Sequence, residues 1–343
     1  MTAPIKSVLV CGYGTMGRGI VNLFAKGDGF NVNVLTRDPA RLAGELPANA
    51  TAIAELPDAA PDLVMENYPE DLAVKQALFQ RLEAAYGSHP VWSSNTSGLD
   101  LTELASVLSS KANFIGVHYL QPADAFPLAE AVRIPETSDQ TVARMVDALA
   151  RVGQEAVVLN KPVIGFLFNR LQHALLHEAY HMLEQGWVTA EDIDKYGRLA
   201  FGPRMCVTGI IEQKDMGGLD VNAASQRSIV PALHHADTPV QLVQDMAARG
   251  EHGAKSGQGF YAWEGIDLAE YRRIASDKTK RIIDIVREPT GRRLRARLPQ
   301  KKVADNEVRQ VSNREGEERA APAEAAATRY DAPSSARSVP GVR

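Results

Sequence analysis

The apolar run Ser7 to Cys11 is followed at once by Gly12-Tyr13-Gly14-Thr15-Met16-Gly17 and then by a helix-like stretch to Lys26. Nothing else in the chain restricts the fold as much. The spacing G-x-G-x-x-G between a strand and a helix has a defined physical use. Gly12 permits the tight turn, Gly14 lets a pyrophosphate reach the backbone, and Gly17 lets helix and strand pack closely. Unpaired N–H groups at the helix start, around Thr15 and Met16, favour the anion. The turn therefore predicts a dinucleotide site at the head of an α/β sheet.

The second strand, Val32 to Leu35, ends in Thr36-Arg37-Asp38. An NAD site usually carries an acid at this strand end, accepting from the ribose hydroxyls. Here Thr36 holds that place. Arg37 is able to meet a 2′-phosphate, whereas Asp38 would serve the ribose if the loop turned one residue later. The expectation is an NAD(P) cofactor, leaning to NADP.

Further strands are expected at Pro61 to Glu66, Pro90 to Ser94, Phe114 to Val117 and Ala156 to Leu159. Helices are expected from the Pro69-Glu70-Asp71 cap through about Ala85, from Leu99 to Leu108 and from Thr137 to Val152. This alternation predicts a doubly wound parallel sheet over residues 1–160, with ligands at the carboxyl ends of its strands. Ser97 and His118 both fall at such ends. Glu130 lies on the next extended run, where it is able to face His118. A carboxylate so placed fixes the imidazole tautomer and supports the imidazolium formed when histidine acts as a general base.

From Lys161 the strand signal stops. Gly165 to Gln185 reads as an amphipathic helix with Leu171, Leu175, Ala179, Met182 and Leu183 on one side. Thr189 and Asp192 resemble a capping box for a helix from Ala190 to Ala200, and a last helix runs from Leu268 to Val286. Residues 161–286 thus form an all-helical domain. His173, His177 and His181 share a helix face, but no carboxylate or cysteine motif joins them, so a solvated or cleft-facing stripe is expected and no metal. Residues 287–343 are rich in Ala, Pro, Ser and Arg, with few apolar anchors, and are expected to be a disordered tail.

The net charge of −4 gives no reason to expect nucleic acid or an anionic membrane as partner, and no apolar run approaches membrane-spanning length. Two cysteines, Cys11 and Cys206, are too few for a disulfide framework, and MTAPIKS lacks a signal-peptide core. A cytoplasmic protein is expected.

Taken together, VLVCGYGTMGRGI, DLVMENYPEDLAVKQALFQRLE, SSNTSGLDLTELA, FIGVHYLQPADAFPLAEAV, GFLFNRLQHALLHEA, TAEDID and GAKSGQGFY resemble the 3-hydroxyacyl-CoA dehydrogenase family over most of residues 6–263. The resemblance implies a Rossmann-like domain followed by a helical domain that forms a homodimer. It implies His118 as catalytic histidine and Glu130 as its partner, with Ser97 and Asn169 as the substrate hydrogen-bonding pair. It places Glu70 and Lys75 on the nicotinamide side of the cofactor site, with Asn95 of the NTS motif near by. The implied reaction is NAD(P)-dependent oxidation of the 3-hydroxyl of a hydroxy acid or acyl thioester.

The chain departs from the family at three points. The helical hairpin that helps hold CoA is missing after the second strand. Gln121 replaces an asparagine three residues after the histidine, and FGPRM places Arg204 at the substrate face of the helical domain. These departures keep open a dehydrogenase for a free hydroxy acid, of the carnitine or gulonate dehydrogenase kind. A non-catalytic dinucleotide-binding redox sensor is the remaining alternative.

Overall fold

Strand β1 (Ser7–Cys11) is buried on both faces, with Val8, Leu9 and Val10 at most 1% exposed. Its residues alternate between two separate cores. Val8 and Val10 pack with Ile20, Phe24, Met145 and Leu149, while Leu9 and Cys11 pack with Leu78, Phe79, Leu82 and Trp92. A strand covered by helices on both sides has no solvent face, which is why these strands read as unbroken apolar runs.

The computed structural model describes residues 3–288. The sheet comprises β1, β2 (Asn31–Leu35), β3 (Ala50–Ile53), β4 (Leu63–Glu66), β5 (Val91–Ser94), β6 (Phe114–Tyr119), β7 (Leu128–Val132) and β8 (Glu155–Leu159). Their spatial order is 3-2-1-4-5-6-7-8. The helices that cover it are α1 (Thr15–Lys26), α2 (Leu72–Tyr86), the short α3 (Leu101–Leu104) and α4 (Asp139–Arg151). The expected helix to Leu108 tightens after α3 into a 3₁₀ turn at Ala105–Val107.

Strands β1 to β6 are parallel, but β7 runs antiparallel to β6, and β8 is parallel to β7. The doubly wound sheet is thus mostly parallel, with one antiparallel pair at this edge. Only residues 120–127 link β6 to β7, too few for the crossover that a parallel pair needs. The order reverses between β1 and β4, so the switch point, where ligands bind in such sheets, lies over the ends of these two strands.

Among the described residues beyond 162 the regular elements are helices: α5 (Phe168–Glu184), α6 (Ala190–Tyr196), α7 (Gly202–Thr208), α8 (Glu212–Met216), α9 (Leu219–Ile229), α10 (Gln241–Ala248) and α11 (Leu268–Arg287). The helix expected to reach Ala200 ends as α6 at Tyr196, and a π-helical turn at Gly197–Phe201 leads into α7. Isolated bridges join Gly253 to Gln258 and Gln258 to Ala262. Among the described residues after 166, only Val240 and Met246 are buried apolar side chains. Leu171, Leu175, Trp187, Val207 and Ile211 all stand exposed.

Of the histidine stripe on α5, His173 stands exposed, whereas His177 and His181 pack against His234. His181 stacks on His234 with ring centroids 4.1 Å apart, and His177 lies 4.5 Å from the same ring. Apart from Arg287, which closes α11, and Glu288, the expected tail lies outside the described residues.

Candidate active site

The glycine turn has the shape its spacing predicts. Gly12 has φ +95°, a left-handed conformation that side chains disfavour, and a Cβ on Gly17 would sit 2.1 Å from the Gly12 carbonyl oxygen. A Cβ on Gly14 would instead meet nothing within 4 Å. That open space lies over the start of α1, whose N-cap is Gly14 and which has no side-chain cap. Free amides facing an open cradle fit a pyrophosphate. Beside it a cavity of about 640 Å³ is lined by Leu35, Tyr68, Pro69 and Val74, apolar walls suited to an adenine ring. A second cavity, of about 450 Å³, is lined by Thr15, Thr36, Asp38 and Glu45 together with Arg18, Arg37 and Arg41. The Asp38 carboxylate accepts from the Arg41 amide (3.3 Å), within the short turn at Ala40–Leu42.

Below the turn lies a fully buried ion pair. Lys75 donates to both oxygens of Glu66 (2.8 and 2.9 Å) and to the Tyr68 carbonyl (3.0 Å). Glu66 also accepts from the Tyr68 amide and the Ser94 hydroxyl, each at 2.5 Å. Lys75 is 1% exposed, has three acceptors and lines neither of the cavities beside the glycine turn. It braces the loop after β4 from beneath. Glu70 reaches across to the NTS loop. Its Oε1 accepts from the Thr96 hydroxyl (2.6 Å) and from the amides of Ser97 and Gly98 (both 3.0 Å). Burial pushes the Glu70 carboxyl up, but these donors and Lys75 outweigh it and hold the group below the usual carboxylate range. Glu70 therefore fixes the Asn95–Gly98 loop.

His118 and Glu130 are direct cross-strand partners between β6 and β7. Nδ1 of His118 lies 2.7 Å from Oε2 of Glu130, and the two residues are 7% and 2% exposed. The other carboxylate oxygen accepts from the amides of Leu167 (2.8 Å) and Phe168 (2.9 Å), the first groups of α5. Burial raises the Glu130 carboxyl, but the His118 bond, the two amides and the imidazole charge lower it by more. Its pKa lies below the ordinary value, so Glu130 is an anion at neutral pH. Phe166, directly before Leu167 and Phe168 in the chain, is 2% exposed and has φ +47°. A left-handed non-glycine residue costs about 1–2 kcal/mol. Its ring lies 5.3 Å from the imidazole.

In front of His118 opens a cavity of about 420 Å³ lined also by Met16, Asn95, Ser97, Gln121, Asn169 and Gln172. Helix α5 supplies Asn169 and Gln172, the NTS loop supplies Asn95 and Ser97, and α1 supplies Met16. Asn95 is oriented by accepting from the Tyr119 amide (3.0 Å). Arg204 is not brought here. It lies on α7, which packs toward α8 and α11, and its guanidinium faces the Gln213 amide. Sequence reasoning missed Glu66, Thr96, Phe166, Gln172, Arg18 and Arg41. Only Glu66 left a visible sign, an acid closing the apolar run LVM.

A dinucleotide cradle beside a buried His–Glu pair defines a dehydrogenase-type oxidoreductase. Comparison with known proteins agrees. The profile for "3-hydroxyacyl-CoA dehydrogenase, NAD binding domain" matches residues 46–162, and that for "3-hydroxyacyl-CoA dehydrogenase, C-terminal domain" matches 165–263. The solved 3-hydroxyacyl-CoA dehydrogenase of Archaeoglobus fulgidus is 30% identical, with a TM-score of 0.60, over 82% of this chain and 99% of that one. The chain belongs to the 3-hydroxyacyl-CoA dehydrogenase family. The 5-formyl-3-hydroxy-2-methylpyridine 4-carboxylate 5-dehydrogenase of Mesorhizobium japonicum is 27% identical over 84% of this chain and 99% of its own length. A solved structure of an enzyme of that name, described as NAD+ dependent, has a TM-score of 0.76 over 82% of this chain and 98% of its own. The mitochondrial hydroxyacyl-coenzyme A dehydrogenase of Sus scrofa is 34% identical over 59% of this chain, a match that spans 64% of the pig enzyme.

Proposed function

We propose that the protein oxidises the 3-hydroxyl of a 3-hydroxyacyl-CoA or a related 3-hydroxy acid to the 3-oxo compound, with His118 as general base. The observation that carries this is the 2.7 Å His118–Glu130 contact at the wall of a cavity that Met16, from the glycine turn, also lines. A bound nicotinamide dinucleotide supplies the hydride acceptor. With Nδ1 held by Glu130, His118 presents Nε2 to take the hydroxyl proton. Glu130 supports the charge that then forms on the imidazole. Ser97 and Asn169 hold the substrate oxygen as it becomes a carbonyl.

The residues that hold the dinucleotide in this reading are Gly12, Gly14, Thr15, Met16 and Gly17, with Asn95 near its reactive end. Arg37, with Arg18 and Arg41 around the same cavity and no acid in the place of Thr36, favours NADP over NAD. A free hydroxy acid is the second reading. Only residues 36–49 separate β2 from β3, so no helical hairpin is present there to hold CoA. The exposed apolar side chains of the helical domain support a homodimer in which a second copy covers them, checked by the mass in solution. Both cysteines are free, consistent with a reducing cytoplasm.

The test is turnover of 3-hydroxybutyryl-CoA against free 3-hydroxybutyrate, carnitine and gulonate, with each cofactor, for wild type and His118→Ala. Loss of kcat by on the order of 10²–10⁴ in the variant is expected. Near-wild-type turnover in His118→Ala refutes the assignment.

A further inference from the structure

We infer that Phe166 is a positioning residue for the His118–Glu130 pair, setting the imidazole plane with its ring and aiming two amides at the carboxylate with its backbone. The inference rests on the proposed role of His118 as base.

Three observations meet at this residue. Phe166 is the one non-glycine position with positive φ among the described residues, at +47°. It follows Gly165 at φ +78°, so two left-handed residues in succession turn the chain sharply before α5. Strain of this kind persists only where the surroundings over-determine it, and it gathers at functional sites. The turn is closed by the Phe166 amide donating to the Val163 carbonyl (2.9 Å). The next two amides, Leu167 and Phe168, then point at one oxygen of Glu130.

The ring does a second thing. Its centroid lies 5.3 Å from that of the imidazole at an interplanar angle of 53°, within the range of favourable aromatic pairs. Glu130 fixes the imidazole at one atom only, Nδ1, and a single hydrogen bond leaves rotation about it cheap. A buried ring packed beside the imidazole at this tilt removes that freedom. Phe166 is absent from the walls of the cavity before His118, so it acts on substrate only through the histidine. The same three-residue segment thus grips both members of the pair, the histidine by packing and the glutamate by two amides.

The test measures kcat and KM with 3-hydroxybutyryl-CoA and NAD+, the melting temperature, and the downfield imidazole proton shared between His118 and Glu130 by NMR. Phe166→Leu should lower kcat about tenfold while the KM for NAD+ changes less than twofold. The imidazole proton should broaden or shift, and Phe166→Tyr, which keeps the ring, should restore both. Phe166→Met, whose flexible side chain fills the space without a ring, should behave as the leucine variant. A kcat loss under threefold in a folded variant with an unchanged imidazole proton overturns the inference. So does a chain that folds with tyrosine but with neither leucine nor methionine, which marks a purely structural residue. The NMR readout needs no turnover, and His118→Ala tests the base separately, so failure of the catalytic reading is distinguishable from failure of this one.

Discussion

His118 and Glu130 stand opposite one another in register across the antiparallel pair β6–β7, Nδ1 to Oε2 at 2.7 Å. The contact follows from one reversal of strand direction in a sheet that is otherwise parallel up to that point. In register, side chains of directly opposed residues leave the sheet on the same face, about 5 Å apart at Cβ.

The Glu130 carboxyl titrates below its ordinary value when folded, so it contributes stability above the unfolded pKa of about 4.3 and loses it as pH falls through the folded value. Wild type should therefore lose melting temperature over that acid window more steeply than Glu130→Gln. The same variant should lower kcat by on the order of 10²–10⁴, because an amide neither supports the imidazolium nor holds the right tautomer. Identical melting profiles for the two proteins below pH 5 would contradict the carboxylate's role.

Two glycines of the same turn should fail differently. Gly17→Ala drives a Cβ to 2.1 Å from the Gly12 oxygen and should cost about 1–3 kcal/mol of stability. Gly14→Ala has open space and should leave stability within about 0.5 kcal/mol. It fills the phosphate cradle, however, and should weaken cofactor binding about tenfold or more. Titration of the folded Gly14→Ala variant with NAD+ decides the matter. Unchanged affinity would move the phosphates elsewhere.

Lys75→Met leaves Glu66 buried, charged and without its cation. A loss of about 3–5 kcal/mol is expected, measurable by urea unfolding. The double variant Glu66→Gln with Lys75→Met removes both charges and should be more stable than the single one. If Lys75→Met instead raises the KM for cofactor without loss of stability, the lysine is a contact and not a brace.

Arg37→Ala should lose about 1–3 kcal/mol in kcat/KM with NADP+ and change little with NAD+. The Asp38 carboxylate lines the same cavity and also accepts from the Arg41 amide. A wild type preferring NAD+ tenfold or more would assign the ribose to Asp38.

Much of this protein was legible in its residues. The glycine spacing, the buried apolar strands and the long amphipathic α5 each depend on local pattern, and each lies within a few residues of its expected bounds. His118, Glu130 and Ser97 could be singled out by type and place, and Asn169 by the resemblance of its motif to the family. Tertiary structure alone decided which groups meet. Lys75 and Glu70 lie on the expected segment, but Lys75 is drawn inward by Glu66 and Glu70 is taken by the amides of Ser97 and Gly98. Arg204 follows α7 toward α8 and α11, away from the cavity. Phe166 carries no mark in the sequence, because a left-handed phenylalanine is imposed by the turn around it and not by its own preference. Periodicity and propensity act over a few neighbouring residues, whereas hydrogen-bond partners 38 positions apart, as Glu130 and Phe168 are, exist only once strand direction and register have placed them.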